Sequence, residues 1–186
     1  MTTIKNQMRP MRSQTLPFLA ALMFIANPIN AETHNDEVLL KVISTEGHIE
    51  RFTRERLEEF EQIEFATESL WTEGEHSYSG PSLQTVLDAS NIKEDRIELI
   101  GLNGYTVVMD TSKDPIGDDY PIIATRIDSE PFEIWEKGPL WIIYNFDDFP
   151  GDQAERGNAI SVWQLSAMRE LLQDEGVSLD MTTGTE

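Results

Sequence analysis

A short apolar run at residues 140–144 constrains this chain more than any other feature of its sequence. The run reads Leu-Trp-Ile-Ile-Tyr and follows Gly138 and Pro139. Because proline fixes φ and keeps the preceding residue out of the helical region, the run begins a new element. It is short and rich in β-branched and aromatic residues, which predicts a strand buried on both faces. A polar turn at residues 145–148 follows, so the strand either serves the core alone or forms one wall of a pocket.

The remaining pattern predicts an α+β fold, a compact mixed sheet with short helices, because strands and helices alternate without a βαβ rhythm. Thr53 and Ser82 are candidate N-caps of two helices, and Asn91 is suited to end the second one. Asn103 and Gly104 predict a tight hairpin turn. The predicted strands are 38–44, 48–52, 63–67, 96–101 and 105–110, and the predicted loops are 73–79, 111–119 and 147–158. Residues 121–127 suit a strand or a short helix, and after residue 159 we expect a strand to Leu165 and then a helix.

The N-terminal 31 residues have the pattern of a cleaved secretory signal peptide. Lys5, Arg9 and Arg12 precede an apolar stretch at residues 16–25, which is shorter than the about 20 residues that a membrane-spanning helix needs. Ala31 is a suitable residue before the cleavage site. We therefore expect an exported, periplasmic protein with one domain at residues 32–186 and a disordered tail from about residue 180.

Charge and residue types exclude several classes of function. The net charge is −20, which opposes binding to nucleic acid or to an anionic membrane. The chain has no cysteine, which rules out a thiol nucleophile and a thiolate metal site. Its three histidines lack metal-binding spacing, and no nucleophile elbow or Gly-rich phosphate loop occurs. The acidic loops around residues 114–119 and 147–152 do not fit the twelve-residue calcium loop. The sequence therefore predicts a protein that is not an enzyme and holds no metal.

Several segments, taken together, resemble the sulfite-oxidase-type molybdopterin-binding domain. They are Tyr78-Ser79-Gly80-Pro81-Ser82-Leu83 with Val86-Leu87, Leu102-Asn103-Gly104-Tyr105, Ile122-Ile123-Ala124 with Asp128, Lys137-Gly138-Pro139-Leu140, and Val162-Trp163-Gln164-Leu165. In order they resemble that family's helix start, its D-G-Y turn, its L-L-A segment, its G-x-P-L strand entry and its closing W-x-L strand. The resemblance covers about residues 38–166.

The departures from the family pattern affect its redox chemistry. The family's enzymes carry a molybdenum-ligating cysteine in the region that matches residues 65–71, where this chain has none. The family's arginine after G-x-P-L is Trp141 here. No molybdenum is therefore expected. The chain resembles the short, exported, non-catalytic branch, which implies a periplasmic protein that binds a reduced pterin. That branch presents the pterin to the periplasmic domain of a membrane-bound diguanylate cyclase or phosphodiesterase.

The resemblance implies a ligand-binding site, and the residues present suit a flat polar ring. Trp71 and Trp141 are candidates to stack on it, and Asp147 is a candidate acceptor for the adjacent N–H groups of an aminopyrimidine edge. The remaining candidates are Thr67 in the 65–71 region, Asn103 and Gly104 for the carbonyl edge, and Tyr105 and Tyr144 for the wall.

Two other functions stay open at this point. One is a degenerate molybdopterin-dependent oxidoreductase without the cysteine ligand. The other is an interaction protein that binds no small ligand and acts through its acidic surface. For each of the four tryptophans, packing in the core is the alternative to contact with a ligand.

Overall fold

The computed structural model describes residues 37–148 and 151–172, and these residues form short strands and helices throughout. The strands are β1 (Leu40–Ile43), β2 (Ile49–Phe52), β3 (Ile63–Glu68), β4 (Glu75–Gly80), β5 (Arg96–Gly101), β6 (Thr106–Asp110), β7 (Ile122–Ala124), β8 (Arg126–Ile127), β9 (Glu130–Pro131), β10 (Trp141–Ile143) and β11 (Leu165–Leu171). The helices are α1 (Arg54–Glu58), α2 (Leu83–Ala89) and α3 (Asp152–Ile160), with 3-10 turns at Ile134–Glu136 and Phe146–Asp148. The predicted signal peptide and the predicted disordered tail lie outside the described residues.

Three sheets organise these strands. The largest has the order β2-β1-β11-β5-β6, with β11 parallel to β1 and antiparallel to β5. A second sheet has the order β3-β4-β8-β9, and β7 pairs with β10 in a third. The expected hairpins β1–β2 and β5–β6 are both present, and residues 121–127 resolve into two strands. The prediction of an α+β fold with a mixed sheet and short helices is confirmed.

Strand β10 lies between two hydrophobic clusters and contributes one face to each, which confirms the prediction of a strand buried on both faces. The smaller cluster contains Tyr78, Ile122, Ala124, Phe132, Trp141 and Ile143. The larger cluster contains Leu39, Leu40, Val42, Phe52, Leu57, Leu83, Val86, Leu87, Ile97, Leu99, Met109, Ile123, Leu140, Ile142, Tyr144, Ile160, Val162, Leu165 and Met168. Consecutive side chains of a strand point to opposite faces, which explains the division.

The predicted helix caps are confirmed. Thr53 Oγ1 accepts a hydrogen bond from the Arg56 N–H at 3.3 Å, and Ser82 Oγ accepts one from the Thr85 N–H at 3.1 Å. Each bond satisfies an N–H of the first helical turn that has no partner within the helix. Asn91 follows α2 with φ of 54°, the left-handed conformation expected for it.

Two predicted loops are wrong. Residues 73–79 overlap β4, an inner strand that pairs with both β3 and β8. The sequence of β4 shows no alternation of apolar and polar residues, because only Tyr78 and Gly80 of this strand are buried. Residues 147–158 contain most of α3. Only Gly157 and Ile160 of α3 are buried, so the helix has little apolar periodicity to reveal it.

The predicted helix after Leu165 is also wrong, because this segment is β11, the central strand of the five-stranded sheet. Leu165 and Met168 are buried three residues apart, a spacing typical of a helix. In the structure that spacing results from a register shift between Leu165 and Ala167, where one extra residue interrupts the alternation. The next inward position holds Glu170, a charged residue that no hydrophobic pattern includes.

Candidate functional site

A pocket of about 440 Å³ brings together aromatic and amide side chains from four parts of the chain. This aromatic pocket is lined by Trp71, Asn103, Tyr105, Asn158, Ala159, Ser161 and Trp163. Its volume falls in the range of about 300–1,000 Å³ that is usual for small-molecule sites. Three of the eight residues predicted to contact a ligand line it together, namely Trp71, Asn103 and Tyr105.

The β5–β6 turn places Asn103 and Tyr105 at the aromatic pocket. Asn103 Oδ1 accepts a hydrogen bond from the Tyr105 N–H at 2.9 Å, which holds the turn closed. Gly104 has φ of 80°, a conformation that glycine adopts without steric cost. Gly104 does not itself line the pocket, but it supports the turn that carries its two neighbours. The Tyr105 side chain remains 55% exposed, so its ring is accessible.

Trp71 and Trp163 supply indole rings to the aromatic pocket from segments that lie far apart in the sequence. Both side chains are partly buried. Trp71 packs edge-to-face against Trp141, with ring centroids 5.8 Å apart. Trp141 pairs through its backbone with Trp163. Trp141, which is itself fully buried, therefore contacts both pocket tryptophans.

Asn158 lines the aromatic pocket and was not predicted from the sequence. It lies near the end of α3, and its Nδ2 donates a hydrogen bond to the Ala154 carbonyl one turn earlier, at 2.8 Å. Its Oδ1 is buried and makes no hydrogen bond to the residues that the structure describes. Nothing in the local sequence pointed to this residue, because its segment was predicted to be a loop. Only recognition of α3 in the sequence could have pointed to Asn158, because the C-terminal end of this helix places Asn158, Ala159 and Ser161 close together.

The other predicted residues lie elsewhere. Thr67 is fully buried, and its Oγ1 accepts a hydrogen bond from the Phe146 N–H at 3.1 Å, which joins β3 to the turn after β10. Tyr144 is in the larger cluster, where its hydroxyl donates to the Pro115 carbonyl at 2.9 Å. Burial raises the pKa of Tyr144, which keeps this hydroxyl neutral. Asp147 is exposed in a 3-10 turn and does not line the aromatic pocket.

The described lining of the aromatic pocket is uncharged, although the chain as a whole is strongly acidic. None of the seven lining residues in the described part of the chain is Asp, Glu, Lys, Arg or His. Within residues 37–148 and 151–172, no group of three or more His, Asp or Glu side chains is placed to hold a metal ion. The lining suits stacking and hydrogen bonding to a neutral flat ring, and it offers no cation to a phosphate.

Two further cavities have different linings. One, of about 370 Å³, lies around Glu170, whose carboxylate already accepts hydrogen bonds from the backbone of Thr45, Lys93 and Glu94. The other, of about 490 Å³, includes Glu64, Asp119 and Asp148. In the first cavity the Glu170 carboxylate is already engaged in hydrogen bonds with the backbone, and the second cavity is lined by several carboxylates. Neither lining therefore resembles that of the aromatic pocket.

No helix in the described ranges combines the length and the apolar character that a bilayer crossing requires. Comparisons of the chain with protein-family models and with curated proteins found no match.

Proposed function

We propose that this protein is a non-catalytic periplasmic binding protein for a reduced pterin. In this proposal the domain has the sulfite-oxidase molybdopterin-domain type of fold, and it presents the pterin to the periplasmic domain of a membrane-bound enzyme that makes or degrades cyclic-di-GMP. The resemblance of five sequence segments to that fold supports the assignment. The observation that carries the ligand-binding part is the neutral lining of the aromatic pocket.

The lining fits the chemistry of a pterin. A pterin is flat, and the indoles of Trp71 and Trp163 and the phenol of Tyr105 provide π-faces for stacking. Its ring edge carries N–H donors and carbonyl or ring-nitrogen acceptors, which the amides of Asn103 and Asn158 can match. No cation lies among the described lining residues, which favours an uncharged ligand over a phosphorylated one.

Exposed apolar residues that adjoin lining residues in the sequence support transfer of the ligand to a partner. Leu70 precedes Trp71 and is 78% exposed, and Leu102 precedes Asn103 and is 51% exposed. Single exposed apolar side chains are common, but these two flank lining residues in the chain. A partner domain that covers the pocket would bury them.

Binding is tested by gentle extraction of the protein from the periplasm, followed by fluorescence and mass spectrometry of any bound small molecule. We expect a pterin at close to one molecule per chain, and uptake of added reduced pterin by ligand-free protein. A folded protein that carries no pterin and takes up none would rule the proposal out.

The place of binding is tested by tryptophan substitutions. Trp71→Ala and Trp163→Ala should each weaken pterin binding at least about tenfold, since one stacking contact is removed. Trp135→Ala is the matched control, because Trp135 is 79% exposed and does not line the aromatic pocket. If folded Trp71→Ala and Trp163→Ala proteins both bind like the wild type, the ligand binds elsewhere.

The oxidoreductase alternative has less support. Thr67 lies in the region where the resemblance places the metal-ligating residue, and its hydroxyl is buried and already hydrogen-bonded to Phe146. Stoichiometric molybdenum in protein from molybdate-fed cells would favour that alternative. The interaction-protein alternative would be favoured by tight capture of a partner that does not depend on pterin.

A further inference from the structure

We propose that the turn at residues 133–137, here called the Trp135 turn, is a docking surface for a partner protein whose contacting face is an apolar cleft surrounded by basic side chains. This inference rests on the proposed function, from which it takes the partner, the periplasmic domain of the membrane-bound enzyme. It adds the part of this chain that the partner contacts and the chemistry that the partner's face must offer.

The Trp135 turn exposes two large apolar side chains next to each other. Trp135 is 79% exposed and Ile134 is 53% exposed, whereas Phe132, just before the turn, is buried in the smaller cluster. Tryptophan is strongly enriched among the few residues that dominate the binding energy of protein interfaces. The indole of Trp135 therefore has the exposure and the residue type of a central interface contact.

Hydrogen bonds fix the backbone of the Trp135 turn. The Glu133 carbonyl accepts from the Glu136 N–H at 2.9 Å. Gln164 bonds to the turn twice, since its N–H donates to the Lys137 carbonyl at 2.8 Å and its Nε2 donates to the Ile134 carbonyl at 2.7 Å. A backbone that is held before docking loses less conformational freedom on binding, which favours affinity.

Gln164 also connects the Trp135 turn to the aromatic pocket. It follows Trp163, which lines the pocket, and its carbonyl accepts from the Leu102 N–H at 2.8 Å. Leu102 is 51% exposed and precedes Asn103, another lining residue. A partner docked on the turn would therefore meet a surface that is bonded to two segments of the pocket lining, which suits the transfer of a ligand.

The charge around the Trp135 turn determines the kind of partner. Glu133 and Glu136 lie in the turn and Glu130 lies on β9 just before it, and all three are exposed. Lys137 is the one basic residue of the turn, and the whole chain carries a net charge of −20. A face with Lys and Arg around an apolar cleft complements this surface, whereas a second copy of the chain would be repelled.

The experiment measures binding of the pterin-loaded full chain to the host's membrane-bound diguanylate cyclases and phosphodiesterases that have a periplasmic domain, each full-length in nanodiscs of zwitterionic lipid. We expect wild-type protein to bind at least one of them, and Trp135→Ala to bind it at least about tenfold more weakly. Leu172→Ala is the matched control, because Leu172 is 69% exposed and lies outside the turn. The control should bind like the wild type.

The charge of the partner's face is tested by Glu136→Lys. This variant should weaken binding of the enzyme about threefold to tenfold, and raised salt should weaken binding of the wild type, since both reduce attraction between opposite charges. Asp88→Lys is the matched control, because Asp88 is exposed on α2, whose buried residues belong to the larger cluster. The same change of charge there should alter affinity less than about twofold.

Loss of enzyme binding in Trp135→Ala, with pterin uptake retained, supports the inference. A folded Trp135→Ala protein that binds the enzyme like the wild type overturns it and leaves the proposed function standing. Unchanged affinity both in Glu136→Lys and at high salt overturns the basic character of the partner. Dimerisation of the wild-type chain that Trp135→Ala abolishes would assign the turn to a second copy instead. If pterin-loaded wild-type protein binds none of the enzymes, the inference and the partner in the proposed function both fail, while the pterin-binding part stands.

Discussion

Arg156 of α3 holds the carboxylate of Asp114 through two hydrogen bonds, from Nε to Oδ1 at 2.5 Å and from Nη2 to Oδ2 at 2.7 Å. The Asp114 side chain is only 6% exposed and also accepts from the Asp110 N–H. This contact attaches α3 to the loop after β6. Since Asn158 lies two residues beyond Arg156, the ion pair also positions one wall of the aromatic pocket.

Replacement of Arg156 by methionine should lower the free energy of unfolding by about 1–2 kcal/mol, because it leaves a largely buried carboxylate without its cation. Urea denaturation at neutral pH measures the change. Arg169→Met is the matched control, since Arg169 is 52% exposed and makes a single contact with Glu98 at 3.0 Å. The control should change stability by less than about 1 kcal/mol. Equal losses in the two variants would contradict a special role for the Asp114 contact.

Glu170 should make stability depend on pH in the acid range. Burial disfavours its ionisation, but N–H groups of Thr45, Lys93 and Glu94 donate to the carboxylate at 2.6–2.8 Å. Together these bonds hold the pKa of Glu170 below its ordinary value of 4.5. The unfolded chain therefore binds the proton more readily. The stabilisation is complete above the unfolded pKa and is lost as pH falls through the folded pKa.

The measurement is the free energy of unfolding of wild-type and Glu170→Gln proteins between neutral pH and pH 3. We expect Glu170→Gln to be less stable at neutral pH by about 1–3 kcal/mol, since it weakens several hydrogen bonds to a charged acceptor. The difference should shrink below pH 4.5, the ordinary pKa value. A difference that stays constant or grows with acidification would show that the carboxylate charge is not what stabilises this site.

Trp141 should affect stability more than any exposed tryptophan. Its ring is fully buried and packs against Trp71, Tyr78 and Phe132 at centroid distances of 5.6–6.5 Å. Trp141→Ala should cost about 3–5 kcal/mol through lost contacts and the cavity left behind. Trp135→Ala should stay within about 0.5 kcal/mol. Thermal unfolding compares them, and similar melting temperatures for the two variants would contradict the buried position of Trp141.

Gly80 should not accept a side chain. A Cβ at this position would overlap the backbone carbonyl of Ile123 and lie 2.9 Å from the Ala124 Cα, and backbone atoms of a paired strand cannot move aside easily. Gly80→Ala should therefore lower stability by about 2–3 kcal/mol. Ser79→Ala, one residue earlier on β4, serves as control and should have a small effect. A Gly80→Ala protein as stable as this control would mean that β4 and β7 are not so closely packed.

Features that depend on adjacent residues were predictable from the sequence. The caps Thr53 and Ser82 bond to N–H groups three residues ahead, and Asn103 with Gly104 forms a turn by local geometry. These interactions need no distant partner, so residue type and order are sufficient evidence. The same holds for β10, whose continuous run of apolar residues predicts burial on both faces.

Features that depend on distant partners were not predictable. Strand β11 was missed because a bulge gives its buried residues a helical spacing and because Glu170 takes an inward position through bonds to residues far away in sequence. Helix α3 was missed because contacts such as Arg156 with Asp114 replace an apolar stripe. The candidate site depends on the same helix, so Asn158 could not be found without it.

Strand β10 also determines how the protein unfolds. Its backbone bonds to β7 on one side and to Val162 on the other, and its side chains divide between both hydrophobic clusters. Neither cluster can open without releasing a strand that the other requires. The two clusters therefore form one cooperative unit, and the amide of Ile142 should exchange with deuterium only when the whole domain unfolds.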